Sequence, residues 1–431
     1  MAMTPTEAPA RPNRLVWLLG PALVAGVAYL DPGNVASNMT AGAVYGYLLV
    51  WVVVAGNLMA WLVQYLSAKL GIVTGSSLPQ LVGRHMPNRW ARRAYWLQAE
   101  LVAMATDIAE VIGGAVALHL LFGLPLPVGG LVTGAVSILL LMYQARRGAR
   151  AFEVVVVGML LVIAVGFCAG VFIAPPDPAG LVSGLVPRFE GTGSVLLAAS
   201  ILGATIMPHA IYAHSALARD RFHPTATREW ALVAAAAPSE STTGAHTRIR
   251  MLLRATRWDV TVAMAVAGTV NLAMLLLAAT SLAGVPGTDS LEGAHAALRD
   301  GLGPVIATLF AVGLLASGLA STAVGAYAGS EIMAGLLHVR VPMLARRLVT
   351  LVPALLVLAA GVAPTWALVL SQVVLSFGIP FALVPLVRLT ARRDVLGVFR
   401  NRGLTTAAGV VASVLLITLN AVLLWLVITG G

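Results

Sequence analysis

The stretch AYLDPGNVAS, residues 28–37, interrupts what otherwise reads as the first membrane-spanning segment of the chain. Hydrocarbon can satisfy neither a carboxylate nor an opened backbone. Pro32 has no N–H to give to a helix, and it disfavours helical geometry at Asp31. Gly33 follows, so the hydrogen-bond ladder is expected to open here, and the freed carbonyls and Asp31 then need partners.

The rest of the composition sets the class. Of 431 residues, 59% are hydrophobic and 10% charged, with mean hydropathy +0.91, which is the profile of a polytopic membrane protein. The opening MAMTPTEAPARPNR carries no cleavage site and leads straight into an apolar run, so the first span is expected to be retained. Cys168 is the single cysteine and lies in an apolar stretch. It excludes a disulfide framework or a cysteine metal cluster and reads as core filler.

At about 20 apolar residues per span, hydropathy and Gly, Pro and Arg punctuation give eleven segments. They run over 15–43 (broken at 31–34), 47–68, 94–122, 126–145, 153–174 and 193–217 (broken near 207). The remaining five are 258–283, 304–335, 344–362, 366–387 and 404–429. The net charge of +10 raises nucleic acid as a partner, but topology explains it. With the N-terminus inside, every one of the 27 basic residues except Arg188 and Arg299 falls in a cytoplasmic segment. That partition follows the positive-inside rule and removes the case for nucleic acid. The organisation is then a cytoplasmic tail (1–14), a first repeat of five spans (15–174), an extracellular loop (175–192), a second repeat (193–388) and a final span (404–429). The longest polar connection, about 218–257, reads as a flexible cytoplasmic loop that can hold a short helix.

A second break is expected in LGATIMPHAIYAHSAL, residues 202–217, where Pro208 follows Met207. Pro32 and Pro208 lie 176 positions apart, each in the first span of a set of five. An isolated Pro in a membrane helix is more often a kink satisfied by its neighbours. Two matched breaks, each beside a ligand-type side chain, instead point to an inverted-repeat transporter whose discontinuous helices meet at mid-membrane around the substrate.

Asp31 near mid-membrane costs about 2.5–3.5 kcal/mol on insertion scales and is expected to have a cationic partner. Asn34, three residues on, offers a neutral oxygen on the same side. Met207 adds a thioether, which favours soft transition-metal ions over Ca²⁺ and Mg²⁺, although most methionines in apolar helices are packing residues. Oxygen ligands with one sulfur suit Mn²⁺ or Fe²⁺, with Cd²⁺ as a fortuitous passenger.

DPGN in the first span together with MPH in the sixth resembles the Nramp family of proton-coupled divalent metal transporters. The similarity runs on through QAELVAMATDIAE, LLASGLASTAVG and LSQVVLSFGIPFALVPL. The resemblance implies an all-α membrane protein of eleven helices, a LeuT-type 5+5 inverted repeat with discontinuous helices 1 and 6 plus an extra helix 11. It implies metal ligands at Asp31, Asn34, Met207 and the Ala204 carbonyl, with the Ala28 carbonyl and Gln372 joining in other conformations. The methionine argues for the manganese and iron branch. It also implies a multi-pass bacterial inner-membrane protein acting as a monomer, with the C-terminus outside. The metal and the proton are substrates, and no resident cofactor is expected.

The third span carries Glu100, Asp107 and Glu110, spaced by seven and three residues and so on one side of a helix. Buried carboxylates that repel one another exchange protons readily, and His209 can pass a proton between this stripe and the metal site. The structural alternative is pairing with Arg346 and Arg347, and a salt bridge can also be part of a relay. In the resemblance Asp107, Glu110 and His209 form the proton pathway, Arg347 pairs with the third-helix carboxylates, and His214 assists conformational change. His119 reads as an interface residue, and Asn57, Asn271 and Glu331 read as helix-to-helix hydrogen-bonding groups.

The nearest alternative is a sodium- or proton-coupled amino-acid or organic-solute carrier of the same architecture. It needs free half-helix termini for a substrate carboxylate, which Asp31 would repel. An enzyme is not expected, since there is no H-E-x-x-H motif, no cysteine pair and no nucleophile with an adjacent base.

Overall fold

The computed structural model describes residues 21–147, 149–222, 240–339 and 341–429. The expected tail 1–14, the start of the first span at 15–20, Arg340 and the stretch 223–239 with His223, Pro224 and Arg228 lie outside the described residues. All regular structure among the described residues is helical.

Helix α1 spans Pro21–Val27, continues as a 3-10 turn over Ala28–Leu30, stops at Asp31, and resumes as α2, Pro32–Tyr45. Next come α3 (Val50–Thr74), α4 (Leu78–His85), α5 (Arg89–Phe122), α6 (Leu126–Arg147), α7 (Ala149–Ile173) and α8 (Pro178–Gly184). The second broken element is α9 (Gly191–Thr205) and α10 (Pro208–Phe222), and α11 follows over Glu240–Ser281. The remainder is α12 (Leu291–Leu302), α13 (Pro304–Leu336), α14 (Met343–Ala359), α15 (Pro364–Ala391), α16 (Arg393–Leu396) and α17 (Gly403–Thr429).

Among the described residues, nine elements are long and apolar enough to cross a membrane, with Gly191–Phe222 counted as one broken unit. Two further expected spans have helical counterparts outside that set. One is the broken α1–α2 element, and the other is α14, only 17 residues long.

Both breaks fall where the proline chemistry puts them. Pro32 and Pro208 each open the second half-helix, since the first turn is the helical position that tolerates a missing N–H. Asp31 is extended at φ −69°, ψ 165°, and Ile206 leaves helical geometry at φ −115°, ψ 43°.

The expected loop over 218–257 is replaced by helix at both ends. Residues 218–222 finish α10, and 240–257 form the first half of α11. The arginines there misled the reading: Arg248, Arg250, Arg254 and Arg257 share the helix with buried Ile249, Leu252 and Ala255, so the segment is amphipathic rather than unstructured. Similarly, α3 runs six residues beyond the expected end at 68.

Burial grades outward from the breaks. In the Gly191–Phe222 unit 94% of the most apolar window is buried, against 33% in α6 and α7 and 28% in α17. The second broken helix is therefore the centre of the bundle, and α6, α7 and α17 are its lipid-facing rim. Exposed Leu161, Phe172, Leu415 and Trp425 are the apolar surface such a rim requires.

Close approach of α2 to α11 depends on Gly42, whose missing side chain leaves room for the Leu275 carbonyl and Ala278. Gly42→Val is expected to cost about 1–3 kcal/mol through overpacking. It should lower the melting temperature of the detergent-purified protein, whereas Gly244→Val, in open space, should leave it within a degree or two.

Candidate metal centre

Asp31 is fully buried and caps α2: its Oδ1 accepts the Asn34 backbone N–H at 2.8 Å. Its Oδ2 accepts the Gln372 side-chain amide of α15 at 2.9 Å. The expected cationic partner is not found. Among the described residues no ion pair reaches Asp31, and neutral N–H donors hold the carboxylate instead. Gly33 makes the Gln372 contact possible, because a side chain there would occupy the space of the Gln372 amide.

The carbonyls freed at the first break are answered from several helices. Tyr29 O accepts the Asn34 amide at 2.8 Å and the Asn271 amide of α11 at 3.0 Å, and Leu30 O accepts the Ser317 hydroxyl of α13. Asn271, read from the sequence as a helix-to-helix bond, thus serves the break itself.

The same Asn34 amide donates at 2.9 Å to the carbonyl of Ala204, in the last turn of α9, which ties the first break to the second. Ser37 and Ser200 meet one turn away at 2.6 Å. Asp31, Asn34, Ala204 and Gln372 therefore form one hydrogen-bonded cluster. Met207 occupies the linker between α9 and α10 and is fully buried, and Ala28 is buried at the start of the 3-10 turn. Within the cluster Asn34 Oδ1 and Gln372 Oε1 are buried and accept no hydrogen bond. Buried acceptors are normally satisfied, so two uncommitted oxygens beside a carboxylate mark the cluster as the candidate cation site. Among the described residues no group of three His, Cys, Asp or Glu side chains is placed to hold a metal ion, so the oxygens here come from one carboxylate, two amides and backbone.

The stripe on α5 is joined to α14. Arg346 contacts Glu100 through Nε at 3.0 Å and Asp107 through Nη1 at 3.4 Å. Arg347 Nη1 reaches Asp107 at 3.2 Å and Glu110 at 3.3 Å, while its other nitrogens bond Ser137 and Thr322. Asp107, Glu110 and Arg347 are each 1% exposed or less. Alternating charges thus run along α5 from the partly exposed Glu100 inward to Glu110.

His209, in the first turn of α10, is buried with Nδ1 3.3 Å from the Thr106 hydroxyl of α5 and Nε2 without a partner. It stands between the linker that holds Met207 and the helix that holds the carboxylates. His214 lies 2.5 Å from Gln64 of α3, and Gln64 in turn bonds the Tyr29 hydroxyl. Gln64, Ser317 and Thr322 were not picked out from the sequence. A lone glutamine inside an apolar span was the available signal for the first, and nothing separated the other two from packing residues. His119 bonds the Leu124 carbonyl at 2.8 Å at the end of α5, a structural role.

A family model described as natural resistance-associated macrophage protein-like, Nramp, matches residues 22–426. The chain is a member of the Nramp family. It is 59% identical over 415 residues to the divalent metal cation transporter MntH of Mycobacterium tuberculosis, covering 96% of this chain and 92% of that one. A MntH of Deinococcus radiodurans is 46% identical over 430 residues, covering 99% and 93%. Among solved structures, the Eremococcus coleocola manganese transporter superposes with a TM-score of 0.82 at 30% identity, over 96% of this chain and 88% of that one. MHP1, a nucleobase-cation-symport-1 family transporter, shares the fold at a TM-score of 0.52 and 14% identity, over 95% and 93%. Family and relatives are transporters rather than enzymes.

Removing one partner of a buried ion network strands the others. Arg347→Gln is expected to cost about 3–5 kcal/mol, and Asp107→Asn added to it should recover part of that loss. Thermal unfolding of the purified single and double variants checks both expectations.

Proposed function

We propose that this Nramp protein is a proton-coupled importer of divalent transition-metal ions, with Mn²⁺ and Fe²⁺ as natural substrates and Cd²⁺ as a passenger. The observation that carries the reading is the pair of uncommitted buried oxygens, Asn34 Oδ1 and Gln372 Oε1, beside the Asp31 carboxylate where the two broken helices are bonded together. The relatives named for divalent metal cations and for manganese support it.

In this reading a dehydrated M²⁺ is gripped by Asp31, Asn34, Met207 and the Ala204 carbonyl, and Gln372 and the Ala28 carbonyl join as the helices move. The C-terminal ends of the first half-helices, around Leu30 and Thr205, present carbonyls toward the same centre, as cation sites in such folds do. The thioether lowers the return for Ca²⁺ and Mg²⁺, which favour oxygen alone. An amino-acid carrier fits less well, because Asp31 itself occupies the Asn34 N–H at the start of α2 that a substrate carboxylate would use.

Eleven spans arranged as two inverted sets of five with α17 added, working as a monomer in the bacterial inner membrane, complete the proposal. The N-terminus and the basic ends lie in the cytoplasm, and the C-terminus outside. Across an interior potential of −100 mV a dication gains about 4.6 kcal/mol, twice the roughly 2.3 kcal/mol of a single charge. Proton entry adds to this drive. The proton leaves the metal site through His209 or Asp31 to Asp107 and Glu110, with Arg347, Arg346 and Glu100 leading toward the cytoplasm and His214 steadying α10.

Flux in proteoliposomes against a panel of divalent ions, with internal pH recorded at set voltages, tests the proposal. Asp31→Ala should abolish Mn²⁺ flux, and a variant still transporting at the parent rate would refute the site. Met207→Ala should keep more of its Mn²⁺ uptake than of its discrimination against Ca²⁺ and Mg²⁺. If it rejects Ca²⁺ as well as the parent does, the sulfur has no part in selectivity.

A further inference from the structure

A second charged cluster lies away from both the metal centre and the α5–α14 chain. Arg219, in the last turn of α10, makes a two-pronged contact with Glu331 near the end of α13, Nη1 to Oε2 at 3.0 Å and Nη2 to Oε1 at 3.0 Å. The neighbouring Asp220 accepts the Tyr327 hydroxyl of α13 at 2.5 Å. The Arg219 and Glu331 side chains are only 11% and 15% exposed, so the pair is largely withdrawn from water. Planar paired contacts of this kind hold two groups in one geometry.

The cluster sits where α10 meets α13. Helix α10 starts at Pro208, directly after the proposed ligand Met207, and one turn before the cluster it is fastened to α3 and α4. There Ser67 donates to Ile211 O at 2.6 Å, and Leu78 N donates to Ser215 at 2.9 Å. Helix α13 belongs with α5, since Thr322 bonds Arg347, and Gly325 faces Glu110 and Asp107. The two charged contacts therefore bridge the helix that follows the second break and the helix packed against the α5 carboxylates. They also lie at the end of the bundle where α10 finishes. An open depression of about 370 Å³, lined by Thr40, Tyr45, Leu197, Asp289 and Trp366, is at the other end of the bundle, where α2 ends and α9 begins. Asp31, Asn34, Met207 and Gln372 are fully buried below it.

We propose that Arg219–Glu331, with Asp220–Tyr327 beside it, is the latch that keeps the cytoplasmic mouth shut while the metal site loads from outside. Arg219 and Glu331 are positioning residues: they touch no substrate, and they set where α10 sits against α13. Release of ion to the cytoplasm requires the two to part. This rests on the transport reading, and its test does not.

The latch is tested by thiol labelling of Ala328→Cys, on α13 one turn before Glu331 and fully buried, in a Cys168→Ser background reconstituted in liposomes. A water-soluble maleimide should react slowly with that protein and at least fivefold faster when Glu331→Gln is added. Tyr327→Phe, which removes one hydroxyl, should give a smaller increase in the same direction. Glu331→Arg alone should open the site as Glu331→Gln does, and combining it with Arg219→Glu should return labelling toward the starting rate. Unchanged labelling in both Glu331→Gln and Tyr327→Phe, or no return in the charge-reversed pair, overturns the latch. Manganese flux of the same preparations separates the two ideas: absent flux in the parent sinks the transport reading, while labelling decides the latch alone.

Discussion

The structure turns on a carboxylate buried at the bundle centre and held, among the described residues, by neutral N–H groups. Burying an anion without a countercharge is costly, and insertion of Asp31 is tolerated because Asn34 N–H caps it from one side and Gln372 from another. Each donor exists for a reason traceable to the break. The Asn34 N–H is free because Pro32 opens a new helix, and Gln372 reaches in because Gly33 has no side chain. The arrangement leaves Asp31 without a fixed countercharge among the described residues, which is what the proposed dication would supply.

The second constraint is that two helices must be broken together. Asn34 spans them by donating to Tyr29 O and Ala204 O at once, so a shift of either half-helix disturbs the other. Movement of the second break in turn reaches α5 through His209 and Thr106. The proposed metal and proton sites are thus joined by one short polar path, which is the physical connection that coupling between them would need.

Much of this could be read in the residues. Asp-Pro-Gly-Asn in an apolar run announces its own break, and Arg distribution orders the helices because the membrane penalises charge so heavily. The carboxylate stripe was visible because a helix repeats every three to four positions. Apart from the pairing of Arg346 and Arg347 with the α5 carboxylates, contacts between distant helices were not visible. Gln64 against His214, or Asn271 against Tyr29, depends on how helices rotate about their axes, which hydropathy leaves open. Glu331 was read as an ordinary polar contact and Arg219 as one of many cytoplasmic charges, yet together they make an ion pair. The amphipathic start of α11 was read as a loop because four arginines fall within ten residues, 248–257, and interrupt its apolar positions.

Helix α17 carries a consequence of its own. It is held to α15 by a reciprocal clasp, Ser376 Oγ donating to Asn420 at 2.7 Å and the Asn420 amide returning to Ser376 O at 2.8 Å, and most of its surface faces lipid. Its grip point lies one turn from Gln372, so the part of α15 that reaches Asp31 is tied directly to a rod bathed in acyl chains. A shift of that rod within the bilayer would therefore be felt at the amide that holds Asp31.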